Sequence, residues 1–114
     1  MLNKIADLHV HSYYSDGTMS PEDIVKAASA KGVGLLAISD HCVLDGSLKL
    51  RELCGKSNIR YVSAVELDTL DNGNNIHILG YGMNLSDKEF CLFVKRNRTL
   101  LDDVSVKLIE KMQA

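Results

Sequence analysis

The sequence predicts an α/β protein in which strands and helices alternate around a parallel sheet. Residues 4–11 alternate polar and apolar side chains, as a strand with one polar face does. Residues 34–39 contain a continuous apolar run, which is typical of a strand buried on both faces of a parallel sheet. The segment from Ser20 to Gly32 has the capping signals and apolar spacing of a helix. Strand, helix and strand in this order indicate right-handed β/α units.

Length and composition describe one globular domain, residues 1–114. The 114 residues are 46% hydrophobic and carry a formal net charge of -2. This charge excludes a broad basic surface for nonspecific duplex DNA, and no apolar run approaches the length of a membrane span. The three cysteines, Cys42, Cys54 and Cys91, are odd in number and form no CxxC pair. We therefore expect reduced thiols and a cytoplasmic protein.

The first strand places several polar side chains on one face. Asp7, His9 and His11 project to the same side of an extended segment, while Leu8 and Val10 project to the other. Two imidazole rings on one side of a strand can hold one metal ion or two adjacent ions.

The first helix has both start and stop signals. Ser20 is a capping residue, and Pro21 occupies the first helical position, where its missing N–H costs nothing. Gly32 is expected to end the helix because glycine readily adopts the left-handed conformation found after a helix.

The later elements continue the alternation. The buried strand at 34–39 leads directly into Asp40 and His41, and a short helix is expected at 47–55. A third strand, 59–67, closes on Glu66. Residues 72–75 (NGNN) are typical of a turn, and the fourth strand, 76–81, carries His77 and is a candidate for hairpin pairing with the strand before it.

A long amphipathic helix is predicted over residues 86–113. Ser86 with Glu89 three residues later forms a capping box, and an apolar stripe follows it. The stripe consists of Phe90, Phe93, Val94, Leu101, Val104, Leu108 and Met112. An exposed stripe of this length indicates a partner surface, so we expect a homo-oligomer or a swapped assembly through this helix.

All the histidines of the chain fall at or near the ends of predicted strands, where α/β folds place their active sites. Imidazole and carboxylate donors together suit Zn, Mn or Fe. Each feature also has a structural interpretation: a strand-edge histidine, a turn, a cap or an ion pair. Their convergence favours a metal centre, with Asp7 and Asp40 as acceptors that orient the rings. The candidate ligands are His9, His11, Asp16, His41, Glu66 and His77.

Five short motifs resemble, in order and spacing, the N-terminal motifs of PHP (polymerase and histidinol phosphatase) domains. They are residues 7–12 (DLHVHS), 15–17 (SDG), 38–41 (ISDH), 65–66 (VE) and 76–81 (IHILGY). The resemblance implies a distorted, TIM-like (β/α)7 barrel that binds up to three Mn, Zn or Fe ions at the C-terminal ends of its strands. Family members are much longer, so we expect only the N-terminal β/α units of this barrel, a truncated ligand set and fewer ions.

The resemblance also implies roles for individual residues. His9, His11 and Glu66 would bind one metal, and Glu66 would bridge to a second that His77 also binds. Asp16 and His41 would bind a third. Cys42 follows His41 where many members have an acidic residue.

The resemblance implies a metal-dependent phosphoesterase in which the ions activate water. Its expected substrates are phosphorylated small molecules, nucleotide phosphates or oligonucleotide ends. One alternative is a catalytically incomplete metal-binding or scaffolding fragment of a larger protein, and a third possibility is hydrolysis of an amide or another bond.

Overall fold

A computed structural model describes residues 5–113, apart from the side chain of Ser105. The elements follow in the order β1 (Ile5–Val10), α1 (Pro21–Ala30), β2 (Val33–Ile38), α2 (Asp45–Cys54), β3 (Arg60–Tyr61), β4 (Ala64–Asp71), β5 (Asn74–Tyr81) and α3 (Lys88–Gln113). The predicted α/β class is confirmed. Lys4, the predicted start of the first strand, lies outside the described residues.

Two sheets meet at the end of β2. Strands β1, β2 and β3 form a parallel sheet in that order, and β4 and β5 form an antiparallel hairpin. An isolated parallel bridge joins His41 to Glu66, with Cys42 N–H donating to the Glu66 carbonyl at 2.9 Å and Glu66 N–H donating to the Asp40 carbonyl at 3.0 Å. This bridge brings the hairpin against the C-terminal end of the parallel sheet.

The caps of α1 follow from its sequence. Ser20 Oγ accepts from the N–H of Asp23 at 3.1 Å, and Pro21 is the first helical residue. The helix ends at Ala30, and Gly32 has a φ of 76°, a conformation that glycine adopts without steric cost.

The predicted third strand, 59–67, is wrong as a single element. The structure has β3 in the parallel sheet and β4 in the hairpin, separated by Val62 and Ser63. Ser63 Oγ donates to the Met83 carbonyl at 2.6 Å, and the Ser63 carbonyl accepts from Gly82 N–H at 2.9 Å. These bonds to the segment after β5 draw the chain out of the first sheet.

The hairpin itself follows from its turn. Asn72 and Gly73 have φ values of 51° and 81°, the pair of positive values that a two-residue hairpin loop requires. Strand β5 begins at Asn74, two residues earlier than predicted, and it pairs with β4 along its whole length.

The start of α3 also differs from the prediction. The helix begins at Lys88, and Asp87 Oδ1, not the Ser86 side chain, accepts from the N–H of Glu89 at 3.1 Å. Within the described range, neither α3 nor any shorter helix combines the length and hydrophobicity needed to cross a bilayer.

Two apolar clusters hold these elements together. The larger lies between the parallel sheet and helices α1 and α2, and the smaller lies beneath α3. Their buried members are Ile24, Ala28, Val33, Leu36, Ile38, Leu50, Cys54 and Ile59 in the first, and Leu44, Val65, Leu85 and Val94 in the second. These clusters pack against the apolar side chains of β1, β2 and β4. The polar residues at the ends of these strands lie at one common edge.

Candidate metal centre

Glu66 is the buried carboxylate around which the site is arranged. Its side chain is 5% exposed and projects from β4 towards the end of β1. One carboxylate oxygen, Oε1, lies 2.6 Å from His9 Nε2 and 3.1 Å from His11 Nε2. The strand alternation predicted for His9 and His11 thus places both rings on the same carboxylate oxygen.

The other oxygen of Glu66 faces a second pair of histidines. Oε2 lies 2.9 Å from His77 Nδ1 and 3.5 Å from His41 Nδ1. His41 follows β2 and is held there by its bridge to Glu66, whereas His77 reaches the site because β5 pairs with β4. Each oxygen of the Glu66 carboxylate therefore contacts its own pair of histidine rings.

Asp16 closes the site from the loop after β1. Its two oxygens lie 2.6 Å from His11 Nδ1 and 3.2 Å from His41 Nε2. The loop folds back because Gly17 N–H donates to the Ser12 carbonyl at 3.0 Å. A Cβ at Gly17 would collide with the His11 carbonyl, so the close approach of these two backbone segments requires glycine.

Asp40 accepts hydrogen bonds from the loop that carries Asp16. Its buried carboxylate accepts from Ser12 N–H at 2.6 Å, Ser12 Oγ at 2.6 Å and Ser15 Oγ at 2.7 Å. A Cβ at Gly46 would collide with Asp40 Oδ2, so the start of α2 packs directly on the carboxylate. The structure therefore gives Asp40 loop hydroxyl and amide donors in place of the histidine ring expected from the sequence.

The described hydrogen bond of Asp7 is also to the backbone and not to a histidine ring. Asp7 Oδ1 accepts from the backbone N–H of His9 at 3.4 Å. Asp7 instead lines a cavity with Val10 of β1 and Ile24 of α1, and the pairing of β1 with β2 shifts register between Asp7 and Val10. Asp7 is accordingly absent from the described groups of potential ligands.

Asp68 is a site residue that the sequence analysis missed. It lies two residues after Glu66 on β4 and directly opposite His77 across the hairpin. Its Oδ1 is 3.0 Å from His77 Nε2 and 3.2 Å from His41 Nδ1. The signal was available in the sequence, because the alternation that pairs His9 with His11 also pairs Glu66 with Asp68.

The side chains form three groups whose potential ligand atoms lie within 4.8 Å of one another. The first group is His9, His11 and Glu66, the second is His11, Asp16 and His41, and the third is His41, Glu66, Asp68 and His77. Imidazole nitrogens and carboxylate oxygens at this spacing fit Zn, Mn or Fe. Adjacent groups share His11, His41 or Glu66. Only Glu66 can bind two neighbouring ions at once, through its two oxygens, because a neutral imidazole has one nitrogen free to bind metal.

The electrostatics favour ionised carboxylates. Burial acts to raise the pKa of Glu66, but the hydrogen bond with His9 and the charges of His41 and His11 outweigh it and lower that pKa. Desolvation likewise acts to raise the pKa of Asp16, and the bond with His11 and its charge reverse the effect. Both carboxylates are therefore in the form that binds cations.

An open cleft of about 380 Å³ lies beside the cluster. Asp16, His41, Asp68 and His77 line it, together with Arg98 of α3. Arg98 Nη1 donates to the His41 carbonyl at 3.4 Å. A larger and mainly apolar cavity between α2 and α3 also reaches Arg98, but no histidine lines it.

Cys42 links the cluster to α3. The residue has a φ of 51°, and its buried Sγ lies 2.7 Å from Asn97 Oδ1 and 3.7 Å from Asp68 Oδ2. Burial raises the pKa of its thiol. Asn97 Nδ2 in turn donates to the Asp68 carbonyl at 3.2 Å, so this helix contributes to the position of β4.

Comparison with known proteins identifies relatives along nearly the whole chain. A family model described as PHP domain matches residues 7–110. A 5'-3' exoribonuclease of Haemophilus influenzae is 30% identical over 112 residues, which cover 98% of this chain and 41% of that protein. A phosphoribosyl 1,2-cyclic phosphate 1,2-diphosphodiesterase of Eggerthella lenta is 37% identical over 81 residues, which cover 69% of this chain and 31% of that protein.

A solved structure shares the fold. An amidohydrolase from Chromobacterium violaceum, with bound sulfate and no metal, superposes with a TM-score of 0.75 at 27% identity. The match covers 80% of this chain and 32% of that protein. The chain thus spans well under half the length of the proteins that it matches.

Proposed function

This chain belongs to the PHP domain family, and we propose that it carries the metal centre of a metal-dependent phosphoesterase. The observation that carries the proposal is the position of Glu66. One of its oxygens faces His9 and His11 and the other faces His41 and His77. A carboxylate shared in this way suits adjacent ions that hold the attacking and leaving oxygens of a phosphoester.

The proposed ligands are His9, His11, Asp16, His41, Glu66 and His77, for up to three ions of Mn, Zn or Fe in a complete site. When bound, such ions activate water near neutral pH and neutralise phosphate oxygens. The protein's part is to keep the carboxylates of Glu66 and Asp16 ionised and to fix the spacing of the ligand atoms. Asp40 contributes by fastening the loop that carries Asp16.

The substrate class that we propose is a phosphorylated small molecule, a nucleotide phosphate or an oligonucleotide end. The relatives named above act, by their names, on RNA and on a phosphoribosyl cyclic phosphate. Arg98 supports this class, because its guanidinium lines the same cleft as His41 and His77 and can pair with phosphate oxygens.

We further propose that the parallel strands β1, β2 and β3 are the first units of a distorted, TIM-like (β/α)7 barrel. The bridge from His41 to Glu66 continues the parallel pairing beyond β2 and supports this proposal. Free thiols at Cys42, Cys54 and Cys91 agree with the proposed reducing, cytoplasmic compartment.

The experiment is hydrolysis of nucleotides and short oligonucleotides by the purified chain with added Mn²⁺. We expect metal-dependent release of phosphate or mononucleotide. His9→Ala should lower the rate at least about 100-fold, because loss of an outer hydrogen-bond partner alone costs 10–100-fold in such sites. Lys56→Ala, an exposed change beyond α2, is the matched control. Equal rates in His9→Ala and the control would contradict the proposal.

A second candidate function is a metal-binding module without turnover. It is favoured by the cluster of imidazoles and carboxylates itself, which can hold cations whether or not turnover follows. Stoichiometric metal binding without hydrolysis of any phosphate ester would support it. Amide hydrolysis is a third candidate because of the similarity to the amidohydrolase, and a panel of amide and ester substrates distinguishes it.

We also propose self-association through α3. Part of its apolar stripe is exposed in the described chain: Phe93, Val104, Leu108 and Met112 are each half exposed or more, whereas Val94 is buried in the second cluster. A surface of this kind is typical of a helix that packs against a partner.

A further inference from the structure

We infer that Asp68 is a metal ligand and completes a four-donor site with His41, Glu66 and His77. The inference rests on the proposed metal centre and concerns the number of ligand atoms available to one ion in it. Without Asp68, each ion has at most three donors in the described chain. With it, residues 41–77 supply the four donors that a closed tetrahedral site requires.

The distances between donor atoms fit such a site. Asp68 Oδ1 lies 3.2 Å from His41 Nδ1 and 3.0 Å from His77 Nε2. Glu66 Oε2 lies 3.5 Å from the same His41 nitrogen and 2.9 Å from His77 Nδ1. In a tetrahedral zinc site with bonds of about 2.0–2.1 Å, neighbouring donors lie about 3.3 Å apart. The two distances to His41 Nδ1, 3.2 Å and 3.5 Å, fall on either side of this value. A ring gives one nitrogen to an ion, so the two His77 distances are alternatives, and one ligand atom from each of the four residues lies within 4.8 Å of the others.

The backbone holds Asp68 at this position. Glu66 and Asp68 are two residues apart on β4 and so face the same side, and Asp68 pairs directly with His77 across the hairpin. The Asp68 side chain is 9% exposed, and its backbone carbonyl accepts from Asn97 Nδ2 at 3.2 Å. A carboxylate held this firmly among imidazoles loses little conformational entropy when it binds a cation.

A consequence is that the three groups bind metal with different strengths. The group of His9, His11 and Glu66 and the group of His11, Asp16 and His41 each have three donors. The group that contains Asp68 has four, two of them carboxylates. We expect one ion to remain bound at chelator concentrations that remove any others.

The direct test is the absorption spectrum of Co²⁺ bound to Asp68→Cys. A thiolate bound to Co²⁺ gives an intense charge-transfer band in the near ultraviolet, whereas a cysteine outside the ligand shell gives none. We expect this band in Asp68→Cys and not in Asp71→Cys, which places the thiol on an exposed part of the same strand. The unaltered protein measures any contribution from Cys42, which lies near Asp68.

The second measurement is Zn²⁺ affinity by calorimetry. Asp68→Ala should weaken the tightest site at least about 100-fold, by the same reasoning as for His9, while Asp71→Ala should leave it unchanged. Asp68→Asn, which keeps the shape of the side chain, should weaken it as well. Far-ultraviolet circular dichroism identifies which variants are folded, and the comparison is made among those.

The outcomes separate this inference from the proposed function. If the unaltered chain binds neither Zn²⁺ nor Co²⁺, the metal centre itself is refuted. If the unaltered chain binds metal, but Asp68→Ala and Asp68→Asn bind it equally well and Asp68→Cys lacks the band, only the role of Asp68 is overturned.

Discussion

The buried carboxylate of Asp40 holds the loop that carries Asp16, and Asp40→Asn measures the strength of that attachment. Oδ1 accepts from Ser12 N–H and Ser15 Oγ, and Oδ2 accepts from Ser12 Oγ. Asparagine has nearly the same shape but removes the charge. It also replaces one carboxylate oxygen by an amide nitrogen. The serine hydroxyl that donated to that oxygen must then rotate and accept a hydrogen bond from the amide.

The magnitude follows from these contacts. A hydrogen bond to a charged group contributes about 1.5–3 kcal/mol and a neutral one about 0.5–1.5 kcal/mol, so each bond weakens by about 1 kcal/mol. Three bonds give a loss of about 3 kcal/mol, which the lower cost of burying a neutral group reduces to about 2 kcal/mol. For a domain of this size, this lowers the melting temperature by roughly 8 °C.

The assay is urea unfolding of metal-free protein at neutral pH, with Asp71→Asn as an exposed control. The control should lie within about 0.5 kcal/mol of the unaltered protein. If Asp40→Asn also lies within that range, the three hydrogen bonds do not stabilise the loop and the reasoning is wrong.

Two further predictions concern pH and assembly. Because the folded chain lowers the pKa of Glu66, its carboxylate stabilises the metal-free fold above the ordinary value of 4.5, and this contribution is lost as the pH falls through the lower folded value. Between pH 6 and about pH 3, the unfolding free energy of Glu66→Gln, measured by urea unfolding, should therefore fall less than that of the unaltered protein. The exposed Glu110→Gln should follow the unaltered protein. An equal fall with pH in all three proteins would contradict this prediction. Self-association through α3 should give a light-scattering mass above that of one chain, and Leu108→Glu should lower it; a monomeric mass at high concentration would refute the proposal.

Much of the architecture could be predicted because local patterns determine it. Ser20, Pro21 and Gly32 define α1 through capping and backbone preferences that act within a few residues. Asn72 and Gly73 specify the hairpin turn by their tolerance of positive φ. The family resemblance is confirmed by the match over residues 7–110.

The divided third strand could not be predicted from local sequence. Residues 59–67 have suitable strand composition throughout, and the break at Ser63 depends on hydrogen bonds to Met83 and Gly82, about 20 residues later. No local pattern contains such partners. The same holds for Asp40, whose serine donors lie 25 and 28 residues earlier in the chain.

By itself, the sequence predicted six candidate ligands and the strands or strand ends near which they lie, since alternation assigns each strand side chain to a face. Tertiary structure alone decided that Glu66 faces two pairs of histidines and that Asp68 lies among them. Those relations depend on the bridge between His41 and Glu66 and on the register of the hairpin. Long-range pairing sets the distance between donor atoms, and that distance decides which of them can share an ion.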